Sequence, residues 1–137
     1  MQDKDSDLID AGFNAAPRDY SPLTLAFIGD GVYDLLVRSY VALNGNRPVG
    51  EMNKIKVSLV NCRAQAEFAK NIMPLLSDEE TAVYKRGRNA HPASTPKNYS
   101  VADYHSATGL EALFGYLYIS GNFTRIKELF DSILELK

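Results

Sequence analysis

Apolar residues recur at intervals of three and four along most of this chain, and no segment shows the alternation of apolar and polar residues that marks a half-buried strand. The pattern is sustained from residue 49 to residue 76, far longer than a strand. The chain has 137 residues, which are too few for two domains that each bury a core. The sequence therefore predicts an all-α fold, a single helical bundle of five to seven helices.

Capping residues divide this pattern into helices. Ser21 followed by proline predicts the start of a helix that runs to about Leu43, and a break near Asn61 is predicted inside the segment 49–76. Three further helices are predicted. The first begins with the capping box at Ser77 and runs to about Asn89, the second begins at Ser100 and runs through Ile119, and the third spans Thr124 to Leu136. Two prolines predict a loop over residues 90–98.

The N-terminal residues 1–20 are acidic and show no clean period, so we interpret them as a flexible leader and residues 21–137 as the folded domain. The leader has the wrong charge for a secretory signal, and no apolar run reaches the roughly 18 to 20 residues of a membrane span. The single cysteine, Cys62, cannot form an internal disulfide. These features predict a cytoplasmic protein with no membrane partner.

The net charge of -2 conceals a strong local asymmetry. Residues 81–102 contain four bases and no acid, which leaves a charge of -6 on the rest of the chain. A polyanion would be repelled everywhere except at this segment, so the sequence predicts a local, salt-dependent contact with nucleic acid. The alternative is a solvated loop whose basic residues have no partner.

Asp30 lies in the middle of the first long helix, in a stretch that is apolar on nearly every side. Such a helix is expected to be buried, and a buried carboxylate needs a cation. Gly29 and Gly31 flank this residue, although each glycine costs roughly 1 kcal/mol in a helix interior relative to alanine. We therefore expect both glycines to make room for another backbone or a ligand.

Glu111 repeats the pattern on a second apolar helix, with Ala107 and Gly115 one turn away on its own face. The two carboxylates could converge where the helices cross, and Mg2+ typically takes one or two protein carboxylates, whereas zinc needs more protein ligands. The alternative is that Asp30 pairs with Arg38 or Lys54, and Glu111 with another base.

Five segments together resemble the catalytic domain of ribonuclease III. Three of them are residues 27–32 (FIGDGV), 59–61 (LVN) and 110–115 (LEALFG). The other two are residues 85–90 (KRGRNA) and 95–98 (TPKN). The last two are similar to the basic segment of the short bacterial branch of the family, the mini-ribonucleases III, which lacks the double-stranded-RNA-binding domain found in the larger enzymes. The resemblance covers about residues 20 to 137.

This resemblance implies a homodimeric endoribonuclease that cleaves double-stranded RNA with Mg2+, for which Mn2+ can substitute, in the maturation of a 23S ribosomal RNA precursor. It assigns Asp30 and Glu111 as the catalytic metal ligands. The larger enzymes carry two further acids where this chain has Ala26 and Thr108, so one firmly held ion is expected here. Thr108 lies one turn from Glu111 and is a candidate for orienting a metal-bound water.

The basic segment and one aromatic residue complete the predicted site. Seven residues are candidates for RNA binding, through phosphate contacts or hydrogen bonds: Lys85, Arg86, Arg88, Asn89, Thr95, Lys97 and Asn98. Phe27 is the candidate for the dimer interface, the alternative being a core phenylalanine. Two other functions stay open, a non-catalytic RNA-binding or ribosome-assembly module on the same fold and a helical adaptor that binds protein.

Overall fold

The structure, a computed structural model, describes residues 16–90 and 100–135. These residues form six α-helices and no strand, which confirms the predicted all-α fold. The helices are α1 (Pro22–Leu43), α2 (Val49–Val60), α3 (Cys62–Ile72), α4 (Asp78–Arg88), α5 (Val101–Ile119) and α6 (Phe123–Glu135). Short 3-10 turns, Pro17–Asp19 and Met73–Leu75, precede α1 and follow α3.

Serine side chains cap the first turns of three of the helices. The Ser21 hydroxyl accepts a hydrogen bond from the backbone N–H of Thr24 at 3.1 Å. Ser77 and Glu80 form the predicted capping box at the start of α4, and the Ser100 hydroxyl accepts from an N–H in the first turn of α5. Each cap stabilises its helix by about 1 kcal/mol, and because a cap depends on a few neighbouring residues, these helix starts could be predicted from the sequence.

Helix α5 is the centre of the bundle, and α1, α3 and α4 make their most extensive contacts with it. The Leu110, Ala112, Leu113 and Phe114 side chains of α5 are 0% exposed. A helix surrounded in this way must be apolar on every side, which explains the nearly continuous apolar run in this part of the sequence. A carboxylate on α5 is therefore the exception that the fold has to accommodate.

Glycines allow the two longest helices to touch through their backbones. A Cβ atom built on Gly29 of α1 would lie 1.6 Å from the carbonyl oxygen of Glu111, and one built on Gly115 of α5 would lie 1.9 Å from the carbonyl oxygen of Leu25. Only a residue without Cβ fits either position. The predicted close approach of another backbone is confirmed for Gly29, whereas a Cβ added to Gly31 would meet nothing within 4 Å among the described residues.

The break predicted near Asn61 separates α2 from α3, and buried polar side chains complete the hydrogen bonding there. The Asn61 side chain accepts from an N–H in the first turn of α3. The Tyr33 hydroxyl donates to the carbonyl of Leu59 at 2.8 Å, and Gln65 Nε2 donates to the carbonyl of Val60 at 2.8 Å. The final carbonyls of a helix have no partner within it, so these two donors stabilise the end of α2.

Parts of the predicted leader and loop lie outside the described residues, namely 1–15 and 91–99. The leader's residues 17–19 form the first 3-10 turn, and the division into leader and domain stays a prediction. In the two described ranges, no helix combines the length and the apolar character needed to cross a membrane.

Candidate active site

The crossing of α1 and α5 brings the two predicted metal ligands together. Gly29 lies against the backbone of Glu111, and Asp30 is the next residue on α1. The Asp30 carboxyl lies close enough to the Glu111 carboxyl to raise its pKa. Two acids that are 81 positions apart in the sequence therefore share one place in the fold, as the sequence predicted.

The burial of these two acids differs from the prediction. Asp30 is exposed, whereas Glu111 is partly buried between the helices. The expectation of a buried Asp30 was wrong because one side of α1 faces solvent although it carries apolar residues, Phe27 and Leu35 among them. The pair thus has an outer carboxylate that a substrate can approach and an inner one that is held by the bundle.

In the part of the chain that the structure describes, neither acid is neutralised by a base. Among the described residues, no ion pair includes Asp30 or Glu111, and Arg38 instead pairs with Asp34 at 2.5 Å. Lys56 also lies near Asp34, at 3.5 Å. The alternative that ion pairing accounts for the two acids therefore lacks support in the described part of the chain.

The carboxyl groups concentrate negative charge at the site. Burial and the neighbouring Asp30 carboxyl raise the pKa of Glu111 to about 8. Burial also raises the pKa of the Cys62 thiol, and the carboxylates of Glu111, Asp103 and Asp30 raise it further. Like charges that face each other in this way are stabilised by a cation.

Magnesium is the ion that these residues fit. Two neighbouring carboxylates with no basic partner among the described residues provide the oxygen ligands that Mg2+ prefers, and water and phosphate oxygens normally complete its octahedron. Within 16–90 and 100–135, no group of three or more His, Cys, Asp or Glu side chains is arranged to hold a metal ion. Two protein ligands are too few for a typical zinc site but typical for magnesium.

Sequence reasoning missed three residues at this site. Cys62 and Asp103 are close enough for the Asp103 carboxylate to raise the pKa of the thiol. The third, Gln65, is buried on α3, and its Nε2 lies 3.4 Å from Glu111 Oε2. A glutamine within the apolar stripe of α3 was the one available signal, since an amide at a core position needs a partner.

Four of the seven predicted RNA-binding residues are described, and they lie in and just after the last turn of α4. Lys85, Arg86 and Asn89 are exposed, and Arg88 donates from Nε to Asn89 Oδ1 at 3.3 Å. None of the three bases forms an ion pair with a described residue. Thr95, Lys97 and Asn98 lie outside the described residues. We call Lys85, Arg86, Arg88 and Asn89 the basic cluster.

The fold places the basic cluster at the level of the acidic pair. A Cβ built on Gly87 of α4 would lie 2.6 Å from Ala112 Cβ and 3.0 Å from Gly109 Cα. The C-terminal turn of α4 therefore packs directly on the stretch of α5 that carries Glu111. The basic cluster and Glu111 therefore lie on two packed helices at the same level of the bundle.

The other two predicted residues have different outcomes. Thr108 is buried and donates its hydroxyl proton to the carbonyl of Tyr104 at 3.0 Å, and its water-orienting role stays a prediction. Phe27 is 79% exposed, so the alternative of a core phenylalanine is wrong. Its role in a dimer interface stays a prediction.

Comparison with known proteins places this geometry in a family. Residues 23–122 match the family model described as "Ribonuclease III domain". The chain is 48% identical to "Mini-ribonuclease 3" of Thermoanaerobacter sp. (strain X514) over 111 residues, which cover 81% of this chain and 78% of that protein. It is 43% identical to the Mini-ribonuclease 3 of Brevibacillus brevis over 109 residues, which cover 80% of this chain and 81% of the relative.

A solved structure agrees with the sequence relatives. The crystal structure of a protein from Fusobacterium nucleatum matches with a TM-score of 0.79 and 32% identity, covering 86% of this chain and 94% of that one. The family match spans most of the chain and includes both acids of the crossing. The chain belongs to the ribonuclease III family of endoribonucleases, in its mini-ribonuclease III branch.

Proposed function

We propose that this chain is a Mg2+-dependent endoribonuclease that cleaves double-stranded RNA in the maturation of a 23S ribosomal RNA precursor. The observation that carries the proposal is the meeting of the Asp30 and Glu111 carboxyls at the glycine crossing, with no base beside them in the described residues. The choice of a ribosomal precursor depends on the family resemblance. The proposed location is the cytoplasm, where a lone thiol such as Cys62 stays reduced.

Double-stranded RNA suits the charges of the site. A-form RNA presents phosphates and 2'-hydroxyls along a shallow groove, and its bases are hard to reach, so a protein contacts its backbone and shape. Lys85 and Arg86 are exposed at the end of α4 and available for phosphates. The adjoining negative charge would repel RNA in the absence of a cation, so binding at the acidic pair requires the metal ion.

The two carboxylates have different tasks in this proposal. When bound, Mg2+ polarises a phosphoryl oxygen and lowers the pKa of a coordinated water, which supplies the nucleophile. Glu111 anchors the ion from within the bundle, where its side chain is partly buried and meets Gln65 of α3. Asp30 holds it from the solvent side, where the scissile phosphate has access.

We further propose that the active protein is a homodimer formed through α1. Leu23, Phe27 and Leu35 lie at four- and eight-residue intervals on this helix, which puts them on one side, and all three are exposed. An apolar stripe of this kind on a single chain is typical of an interaction surface. Because Phe27 is three residues from Asp30, a symmetric pair would place two sites near one duplex and cut both strands, leaving a short 3' overhang.

Incubation of end-labelled duplex RNA with the protein and Mg2+ tests the proposal. We expect cleavage by the wild-type protein and none by Asp30→Asn or Glu111→Gln, both of which should keep most of their affinity for RNA. Asp34→Asn is the matched control, since Asp34 lies one turn along α1 but pairs with Arg38, and it should cleave normally.

Each contrary result has a distinct meaning. A wild-type protein that shifts the duplex without shortening it would be a non-catalytic RNA-binding module. Full turnover by either variant would remove that residue from the mechanism. Equal cleavage of a 23S precursor stem and an unrelated duplex of the same length would overturn the assignment of the natural substrate.

A further inference from the structure

Gln65 connects the inner carboxylate to the end of a neighbouring helix. Its side chain belongs to α3 and is 2% exposed. The amide nitrogen Nε2 donates to the carbonyl oxygen of Val60 at 2.8 Å and lies 3.4 Å from Glu111 Oε2. One buried amide therefore contacts both the last residue of α2 and the proposed metal ligand.

The orientation of this amide follows from its two partners. Both the Val60 carbonyl and the Glu111 carboxylate are acceptors, so the amino group must face them and the opposite orientation would place an oxygen against two oxygens. As a consequence, Gln65 Oε1 is buried with no hydrogen-bond partner in the described chain. A buried acceptor without a donor has a free-energy cost that an apolar side chain of similar length would avoid.

The end of α2 does not by itself explain why this residue is a glutamine. Tyr33 of α1 donates a hydrogen bond to the preceding carbonyl, that of Leu59. The hydroxyl of Tyr33 donates only there, whereas Gln65 also reaches Glu111. A neutral donor suits this place, because a lysine or arginine would neutralise the carboxylates and repel a cation.

We propose that Gln65 is a positioning residue that holds the Glu111 carboxylate in the orientation in which it and Asp30 bind one divalent ion. The inference rests on the proposed metal site. Hydrogen bonds to a ligand's side chain commonly set its orientation, and losing such a partner typically lowers metal affinity 10-fold or more.

Calorimetric titration of the RNA-free protein with Mg2+ tests this proposal without depending on cleavage. Gln65→Met keeps the length and burial of the side chain but removes the donor, and it should weaken Mg2+ binding about 10-fold. Tyr33→Phe is the matched control, since it removes a buried donor from the same helix end. Thermal melts should show that both variants fold, with Mg2+ affinity unchanged in Tyr33→Phe.

The outcomes separate the inference from the proposed function. If the wild type binds Mg2+, Glu111→Gln does not and Gln65→Met binds as tightly as the wild type, the positioning role is overturned and the metal site stands. An equal loss in Tyr33→Phe would also overturn it, because the effect would then come from the helix end. Equal binding by the wild type and Glu111→Gln would overturn the metal site itself.

A second variant keeps the proposal testable if Gln65→Met does not fold. Gln65→Asn retains an amide that is one methylene shorter, too short to contact both Val60 and Glu111. It should show the same loss of about 10-fold in Mg2+ affinity. Wild-type affinity in a folded Gln65→Asn protein would overturn the positioning role.

Discussion

Substitution of Gly29 by alanine should separate the helices that form the site. The added Cβ would lie 1.6 Å from the Glu111 carbonyl oxygen and 2.7 Å from the Gly115 backbone nitrogen, whereas ordinary contacts begin near 3.4 Å. Both neighbours are backbone atoms in the central helix and cannot rotate away. To relieve the overlap, α1 and α5 would have to move apart by about 1.8 Å, the difference between these distances.

This displacement has two measurable consequences. Overpacking of a tight core costs about 1 to 3 kcal/mol, and a clash between backbones belongs at or above the upper end of that range. We therefore expect Gly29→Ala to lower the free energy of unfolding by at least about 3 kcal/mol. Functional groups must stay within about 0.5 Å of their working geometry, so Asp30 and Glu111 should no longer bind Mg2+ together even if the variant folds.

Urea unfolding and Mg2+ titration, both at a fixed protein concentration, provide the assay. The matched control is Gly50→Ala, because Gly50 is exposed in the first turn of α2 and an added Cβ there meets nothing within 4 Å. Its free energy of unfolding should equal that of the wild type or exceed it by up to about 1 kcal/mol, because alanine favours a helix more than glycine does. A Gly29→Ala protein with near-wild-type stability and wild-type Mg2+ affinity would refute the role assigned to the crossing.

Three further predictions follow from the site, the basic cluster and α1. The pKa of Glu111 is raised to about 8 in the folded protein, from about 4.5 in the unfolded chain. The protonated Glu111 side chain therefore stabilises the metal-free protein fully below pH 4.5, and this stabilisation is lost as the pH rises through about 8. Mg2+ affinity should increase over the same range, with proton release detectable by calorimetry, and a pH-independent affinity would contradict this. Lys85→Ala and Arg86→Ala should each weaken duplex binding and reduce the salt slope by about 0.9, whereas an unchanged slope would exclude phosphate contacts. Phe27→Ala should raise the dimer dissociation constant at least about 100-fold in analytical ultracentrifugation while leaving monomer stability unchanged, and an unaltered dimer would place the interface elsewhere.

The features that could be predicted from the sequence depend on local chemistry. Ser21, Ser77 and Ser100 cap the helices where the sequence placed them, because a cap is decided by a few neighbouring residues. The pairing of Asp30 with Glu111 was also predictable, since acids on apolar helices require an explanation and the two share a pattern.

The features that could not be predicted depend on which side of a helix meets a neighbour. Periodicity carries no such information when α1 is apolar all round, so Gly29 and Gly31 looked equivalent although only Gly29 lies in the crossing. Asp30 was expected to be buried for the same reason. In the sequence, an apolar residue on the surface, such as Phe27, cannot be told from a core residue. Gln65 was missed because its partners, Val60 and Glu111, come together only in the folded chain.

The central claim is that Asp30 and Glu111 together bind one divalent cation. A crystal grown with Mn2+ and measured at a wavelength where manganese scatters anomalously tests this directly. We predict one anomalous peak between the two carboxylates, with an oxygen of each at roughly 2.1 Å, the distance typical of the magnesium it replaces. Carboxylates that turn away from each other, or a peak elsewhere with none between them, would contradict the account.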